Sequence, residues 1–290
     1  MKYYKSYGIA FLVPILLIVG IFYGMLIWDF AAAFTSWQGL QPTWEFVGFS
    51  NFSRLFELER FWINVRNNLL WLVFFIVPTA LGGFVLAYFL SNLGRAENVF
   101  WKIFLFPMAL SFVVTGTLWA WMYDPSSGVI NTILGGIGIN TSRLGWIADP
   151  KIAVYCMILS AFWQYLGFSL VLYLGAIKGL PSEMIEAAKV DGASRFKILF
   201  RIIFPNIAHA TLICTTMLAI TTLKVFDLVW IMTRGGPGVS TEVLPYLMYR
   251  LTFESRDFGM GAATSIVMLI FSAAIVIPYS LWMLGKWVRA

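Results

Sequence analysis

The chain has 290 residues, of which 60% are hydrophobic and only 12% charged, with a formal net charge of +6. So small a charged share, with apolar blocks long enough to cross a bilayer, excludes a soluble globular enzyme. The cations fall in short segments between the apolar blocks, where membrane topology accounts for them better than nucleic acid would. Cys156 and Cys214 lie inside apolar blocks and His209 is the lone histidine, so neither a disulfide nor a metal cluster is expected.

Six spans are predicted, at 7–30, 69–90, 103–123, 152–177, 207–232 and 262–284. In lipid only helices or closed barrels satisfy the backbone, and the alternation of barrel strands is absent. The expected fold is therefore all-α, a polytopic membrane protein with six transmembrane helices forming one domain over 1–290. The first apolar run follows Lys2 and Lys5 and is too long for a signal-peptide core, so it reads as an uncleaved span. The segment 35–68 carries Trp37, Trp44 and Trp62, expected as membrane-interface anchors. Pro125-Ser126-Ser127-Gly128 and Gly135-Gly136 punctuate a later loop as turns. A modest cation excess favours a cytoplasmic N-terminus, and six spans return the C-terminus (Lys286, Arg289) to the same side. Arg54, Arg66, Arg143 and Lys151 then lie outside.

The stretch 180–205 is the longest charged, amphipathic run between spans. Glu183, Glu186, Lys189 and Asp191 crowd its first half, and Asp191-Gly192 predicts a turn. Ser194 is placed to cap a second helix, in which Phe196, Leu199, Phe200 and Ile203 share one face and Lys197 and Arg201 another. Pro205 closes the unit. This cytoplasmic helix–turn–helix is expected to touch a partner.

The chain lacks a phosphate-cradling G-x-x-x-x-G-K-[ST] loop, and no carboxylate pair or nucleophile–base arrangement is visible. Polar groups inside the spans are the remaining lead. Thr211, Thr215, Leu218 and Thr222 fall near one face of the fifth span. Lys224 and Asp227 follow three apart, either as a structural ion pair or as functional groups. Gln164, between Trp163 and Tyr165 in the fourth span, suits either a sugar or helix–helix packing.

Glu186-Ala187-Ala188, three residues, Gly192, nine residues, Ile202, one residue, then Phe204-Pro205 resembles the cytoplasmic signature of membrane subunits in binding-protein-dependent ABC importers. That family usually has Leu where Phe204 stands. Phe226-Asp227, Thr233-Arg234-Gly235-Gly236-Pro237, Gly128-Val129-Ile130-Asn131 and the run from Phe46 to Phe52 resemble its carbohydrate branch, the maltose and glycerol-3-phosphate type. The resemblance implies an inner-membrane permease. It implies a second permease subunit, usually a different chain, two ATPase subunits carrying ATP and magnesium, and an extracytoplasmic solute-binding protein. It also implies ATPase coupling through Glu186, Ala187, Ala188, Gly192, Phe196 and Phe200. The pathway candidates are Gln164, Thr215, Thr222, Lys224 and Asp227. This chain itself would hold no cofactor and act as no enzyme. Three other readings stay open at this point, the first two of them outside ATP-driven import. They are an ion-driven secondary transporter using Asp227, a non-transporting scaffold, and an importer of a non-carbohydrate solute such as a sugar phosphate or polyamine.

Overall fold

A computed structural model describes residues 2–141 and 144–287. Arg143 and Arg289 lie outside the described residues, as do the side chains of Lys2, Lys5 and Lys286. The helices are α1 (Lys2–Ala32), α2 (Ser50–Glu57), α3 (Glu59–Ser91), α4 (Glu97–Leu105), α5 (Phe112–Met122), α6 (Val129–Gly136), α7 (Ala153–Lys178) and α8 (Ser182–Val190). After them come α9 (Arg195–Lys197), α10 (Phe204–Asn206), α11 (Ala208–Leu223), α12 (Asp227–Met232), α13 (Leu244–Tyr249) and α14 (Phe258–Trp287). Among the described residues β pairing amounts to isolated bridges such as Thr35 with Phe46. The all-α expectation holds.

Four helices are long and apolar enough to span a membrane: α1, α3, α7 and α14. Of the other two expected spans, the third is bent within its bounds, and the fifth is entered at a bend and interrupted later. The stretch ending at Ala109 meets α5 at 97°, and the stretch ending at Asn206 meets α11 at 77°. Both corrections have local causes. A 3-10 turn at Phe106–Ala109 contains Pro107, Leu110 is extended, and Ser111 starts a fresh helix by accepting from the Val114 N–H at 3.3 Å. The fifth span, expected to run unbroken through 207–232, stops at Leu223 and resumes at Asp227. Thr215, Thr221 and Thr222 each bond back to a carbonyl one turn earlier, which loosens a helix, and Asp227 favours a new N-terminus.

The chain falls into two compact units. The first comprises Met1–Phe61 and Leu247–Ile270. Its core holds Ala32, Ala33, Trp37, Ala262, Ala263 and Ile266. Asn51 fixes the loop after α1 by donating to the carbonyls of Ala33 and Thr35, both at 2.9 Å. Asp257 accepts from Arg54 at 2.8 Å and from Gln38 at 2.9 Å. Trp37 is buried and stacks on Phe258 at 4.6 Å, so it is a packing residue and not the expected interface anchor. Trp44 remains exposed.

The second unit comprises Trp62–Tyr246 and Phe271–Ala290. Helix α7 is its axis. A Cβ on Gly83 of α3 would lie 2.4 Å from the Ser169 Cβ, so the missing side chain lets α3 and α7 touch. On another side a Cβ on Gly167 would lie 2.0 Å from the Phe104 carbonyl oxygen. Toward α11, the Cys214 thiol approaches the Ser169 hydroxyl at 3.3 Å. In the same unit Asp124 organises a turn, its Oδ1 accepting from Ser126 Oγ at 2.6 Å and from the N–H groups of Ser126 and Ser127 at 2.9 and 2.8 Å. Those donors, the Ser126 hydroxyl foremost, hold its carboxyl down at about 2. Asn131 donates to the Asp124 and Pro125 carbonyls and accepts from Trp146, which explains the turn and asparagine seen in the sequence.

Candidate coupling and translocation site

The stretch 180–205 folds as two short helices with defined ends. Helix α8 has Glu183 in its first turn and Lys189 in its last, each complementing the helix dipole. Gly192 adopts φ +73°. Its N–H donates to the Lys189 carbonyl at 3.1 Å, and the Ala193 N–H to the Ala188 carbonyl at 3.0 Å, the paired bonds of a Schellman stop. Nothing lies within 4 Å of where a Cβ on Gly192 would stand, so the backbone angle alone favours glycine there. Ser194 caps the next helix by accepting from the Lys197 N–H at 3.3 Å, as expected.

Beyond α9 the chain widens into a π-helix, Ile198–Ile203, before α10 and the bend at Ile207. Pro205 supplies no N–H to a carbonyl one turn back, and a widened turn is a common accommodation. The π spacing changes the expected face. Ile198, Leu199 and Ile203 are buried, while Phe196 is 72% exposed. Phe200 is half-buried, 4.6 Å from Phe196 and 6.0 Å from Phe84 of α3. Each fully buried Ile or Leu contributes on the order of 1.5–3 kcal/mol, so this inner face anchors the unit to its own chain. Glu186 and Ala187 stand exposed, but Ala188 is buried beside that inner face and is not presented outward.

One ion pair ties the base of this unit. Lys178, the last residue of α7, donates to Glu97, the first of α4, at 2.6 Å. The end of the fourth span and the start of the third therefore share one end of the unit, next to α8.

The pathway candidates separate into two groups. Gln164 is 3% exposed, and its Nε2 donates to the Leu110 carbonyl at 2.7 Å, across the break before α5. Here it serves helix packing. Thr222 is buried and bonds back to Leu218 at 2.9 Å. Thr215 donates to Thr211 at 2.6 Å and meets the Tyr279 hydroxyl. Lys224 and Asp227 are exposed at the break between α11 and α12. Among the described residues they form no ion pair; the break removes the continuous turn that would have brought them together.

Sequence reasoning missed a polar face near the start of α3. Asn64, Asn67 and Asn68 are all buried. Asn67 donates to the Ser240 and Glu242 carbonyls at 2.8 and 2.7 Å, and Asn68 accepts from the Leu244 N–H at 2.8 Å. The Gly235-Gly236-Pro237 loop is thus pinned to the second span. Thr241 closes it, bonding the Gly236 carbonyl at 2.8 Å and the Thr233 hydroxyl at 2.7 Å. The spacing of three and four along the chain was the available signal.

Residues 79–284 match the family of binding-protein-dependent transport system inner membrane components. This chain belongs to that family. The permease is thus a multi-pass inner-membrane protein. It is 43% identical over 277 residues to a probable ABC transporter permease of Pyrococcus horikoshii, covering 95% of each chain. It is 32% identical over 269 residues to the xylose/arabinose import permease XacH of Haloferax volcanii, covering 92% of the permease and 84% of that protein. The fold matches a chain of a bacterial ABC transporter involved in importing the acidic polysaccharide alginate, with a TM-score of 0.82 and 24% identity, over 98% of both chains.

Proposed function

We propose that this permease is the transmembrane subunit of an ATP-driven carbohydrate importer, with the whole of 1–290 working as one transport domain. It forms half of the substrate route beside a second permease subunit of different sequence and takes sugar from an extracytoplasmic binding protein. ATP and magnesium belong to two separate ATPase subunits. Similarity to a xylose/arabinose import permease supports the carbohydrate class. Both termini and α8 are placed on the cytoplasmic side, in keeping with the cation distribution.

One observation carries the coupling role: 180–205 is two-sided. Ile198, Leu199 and Ile203 are buried in this chain's core, while Glu186, Ala187, Gly192 and Phe196 stand clear of it. A carboxylate and an aromatic ring on a firmly seated helix pair suit a groove that offers a cation and an apolar pocket. Ala188 and Phe200 then act from behind, holding the pair in place. For the route, exposed Lys224 and Asp227 have the best support. Gln164, Thr215 and Thr222 would reach a sugar only after a rearrangement that frees them.

The test is ATP hydrolysis by the complete reconstituted complex, with and without sugar-loaded binding protein. A charge-assisted contact is worth roughly 1.5–3 kcal/mol, so Glu186→Lys should cut stimulated hydrolysis tenfold or more while the protein still reaches the membrane. Full stimulation in that variant would remove α8 from the coupling role.

A further inference from the structure

A cleft of about 610 Å³ opens at the ends of α3 and α7 remote from α8, beside the Gly-Gly-Pro loop. It is lined by two cations, Arg66 and Lys151, by Ser240, and by Leu70, Val154 and Tyr155 from the two spans. The cations have no acidic partner among the described residues. Arg66 reaches only the neutral amide oxygen of Asn67, at 3.3 Å. Asp149, the acid nearest Lys151 in sequence, has its Oδ1 turned to the Lys151 backbone N–H at 2.9 Å. The Ser240 hydroxyl is buried and has no hydrogen-bond partner among the described residues. A buried hydroxyl left unpaired is costly, and two exposed cations without an acidic partner line the same cleft, so its lining favours an anion.

The apolar surface continues along the spans. Leu69 and Val73 on α3, and Tyr155 and Leu159 on α7, remain exposed one turn apart. Phe74 and Tyr155 bridge the two helices at 5.3 Å. A soluble anion would use the cations and the hydroxyl but not this strip. An anion with hydrocarbon chains uses all of it.

We propose that this cleft binds the phosphate of an anionic phospholipid. Arg66 and Lys151 face the phosphate oxygens, and a rotation of the buried Ser240 hydroxyl toward the cleft lets it donate to one of them. The acyl chains lie on Leu69, Val73 and Leu159. The bound lipid then ties the start of the second span to the start of the fourth and to the loop that Asn67 pins.

The experiment uses the full-length permease in its assembled complex, delipidated and returned to nanodiscs of phosphatidylcholine with phosphatidylglycerol. Native mass spectrometry counts the retained lipid. Each cation near an anionic headgroup contributes about fivefold, so Arg66→Gln with Lys151→Gln should weaken phosphatidylglycerol retention roughly thirtyfold and leave phosphatidylcholine unchanged. In the wild-type complex, phosphatidylglycerol should slow modification of Lys151 by an amine reagent several-fold, a readout that needs no variant. Three results would each overturn the proposal. The first is undiminished phosphatidylglycerol retention by the folded double variant. The second is displacement of the lipid by inorganic phosphate at equal concentration, which would make the site one for a soluble anion. The third is protection of Lys151 by assembly with the second permease subunit in lipid-free detergent, which would make the cleft a subunit contact.

Discussion

The Gln164 side chain reaches the Leu110 carbonyl at 2.7 Å and supplies the hydrogen bond that the broken third span cannot make for itself. Leu110 lies between the Phe106–Ala109 turn and α5, with extended backbone. One turn along α7, Gly167 lets the Phe104 backbone come against the same face. Two residues of the fourth span thus seat both sides of the break. Gln164→Leu keeps the volume and removes the donor. An orphaned buried carbonyl costs about 1–3 kcal/mol, so the purified permease should melt several degrees lower and transport should fall. Differential scanning fluorimetry beside uptake in vesicles checks both. Unaltered melting would mean that the amide carries no weight at the break.

Gly192 leads to a sharper expectation. Its φ of +73° is forbidding for a β-branched residue, and no neighbour crowds the position. Gly192→Asn should keep much of the coupling, because asparagine tolerates the left-handed region, whereas Gly192→Val should lose it. The measurement is binding-protein-stimulated ATP hydrolysis at matched membrane levels. Equal activity in the two variants would show that the backbone angle is not what matters.

The loop pinned by Asn67 should loosen when the amide goes. Asn67→Leu strips hydrogen bonds from the Ser240 and Glu242 carbonyls, and each net bond is worth roughly 0.5–1.5 kcal/mol. Hydrogen exchange across 235–244 should speed up by tenfold or more, with exchange in α8 unchanged. The contrast between those segments separates a local effect from general destabilisation.

Much of this could be read in advance, and what could not follows a pattern. The apolar stretches, the Gly192 turn and the Ser194 cap were legible because each depends on composition or on a residue with one strong conformational preference. The breaks at Leu110 and Lys224 were not, because the apolar content is the same on both sides of each. Pro107 and Ser111 were nonetheless the correct pair of signals for the first. The outward face of 195–203 was misjudged for a different reason. Regular helical spacing puts Phe196 on one face with Leu199 and Ile203, whereas the chain runs as a π-helix over Ile198–Ile203 and leaves Phe196 exposed while those two are buried. The Asn64, Asn67 and Asn68 face lay just before the expected start of the second span and went unread.

The Asp124 turn gives a pH prediction. Its carboxyl is held at about 2 against an ordinary 3.8, so the folded turn favours the charged form. Its contribution is therefore fully present above about 3.8, declines as the pH falls, and is lost as the pH passes through about 2. A carboxyl-carbon titration, taken as the difference between the wild type and Asp124→Asn, should place this group near the lower value. A midpoint at the ordinary value would mean that Ser126 and Ser127 do not hold it in solution.

Helix α7 meets three neighbours: Ser169 against Gly83 and Gly167 against Phe104, where no room is left for a side chain on the glycine, and Ser169 again in a hydrogen bond with Cys214. Only Gly179-Leu180-Pro181 separates its last turn from α8. A displacement imposed on α8 is therefore shared among three spans at once rather than absorbed at one soft joint. The fourth span works as a common shaft, and any methyl group added at Gly83 or Gly167 acts on every helix that leans on it.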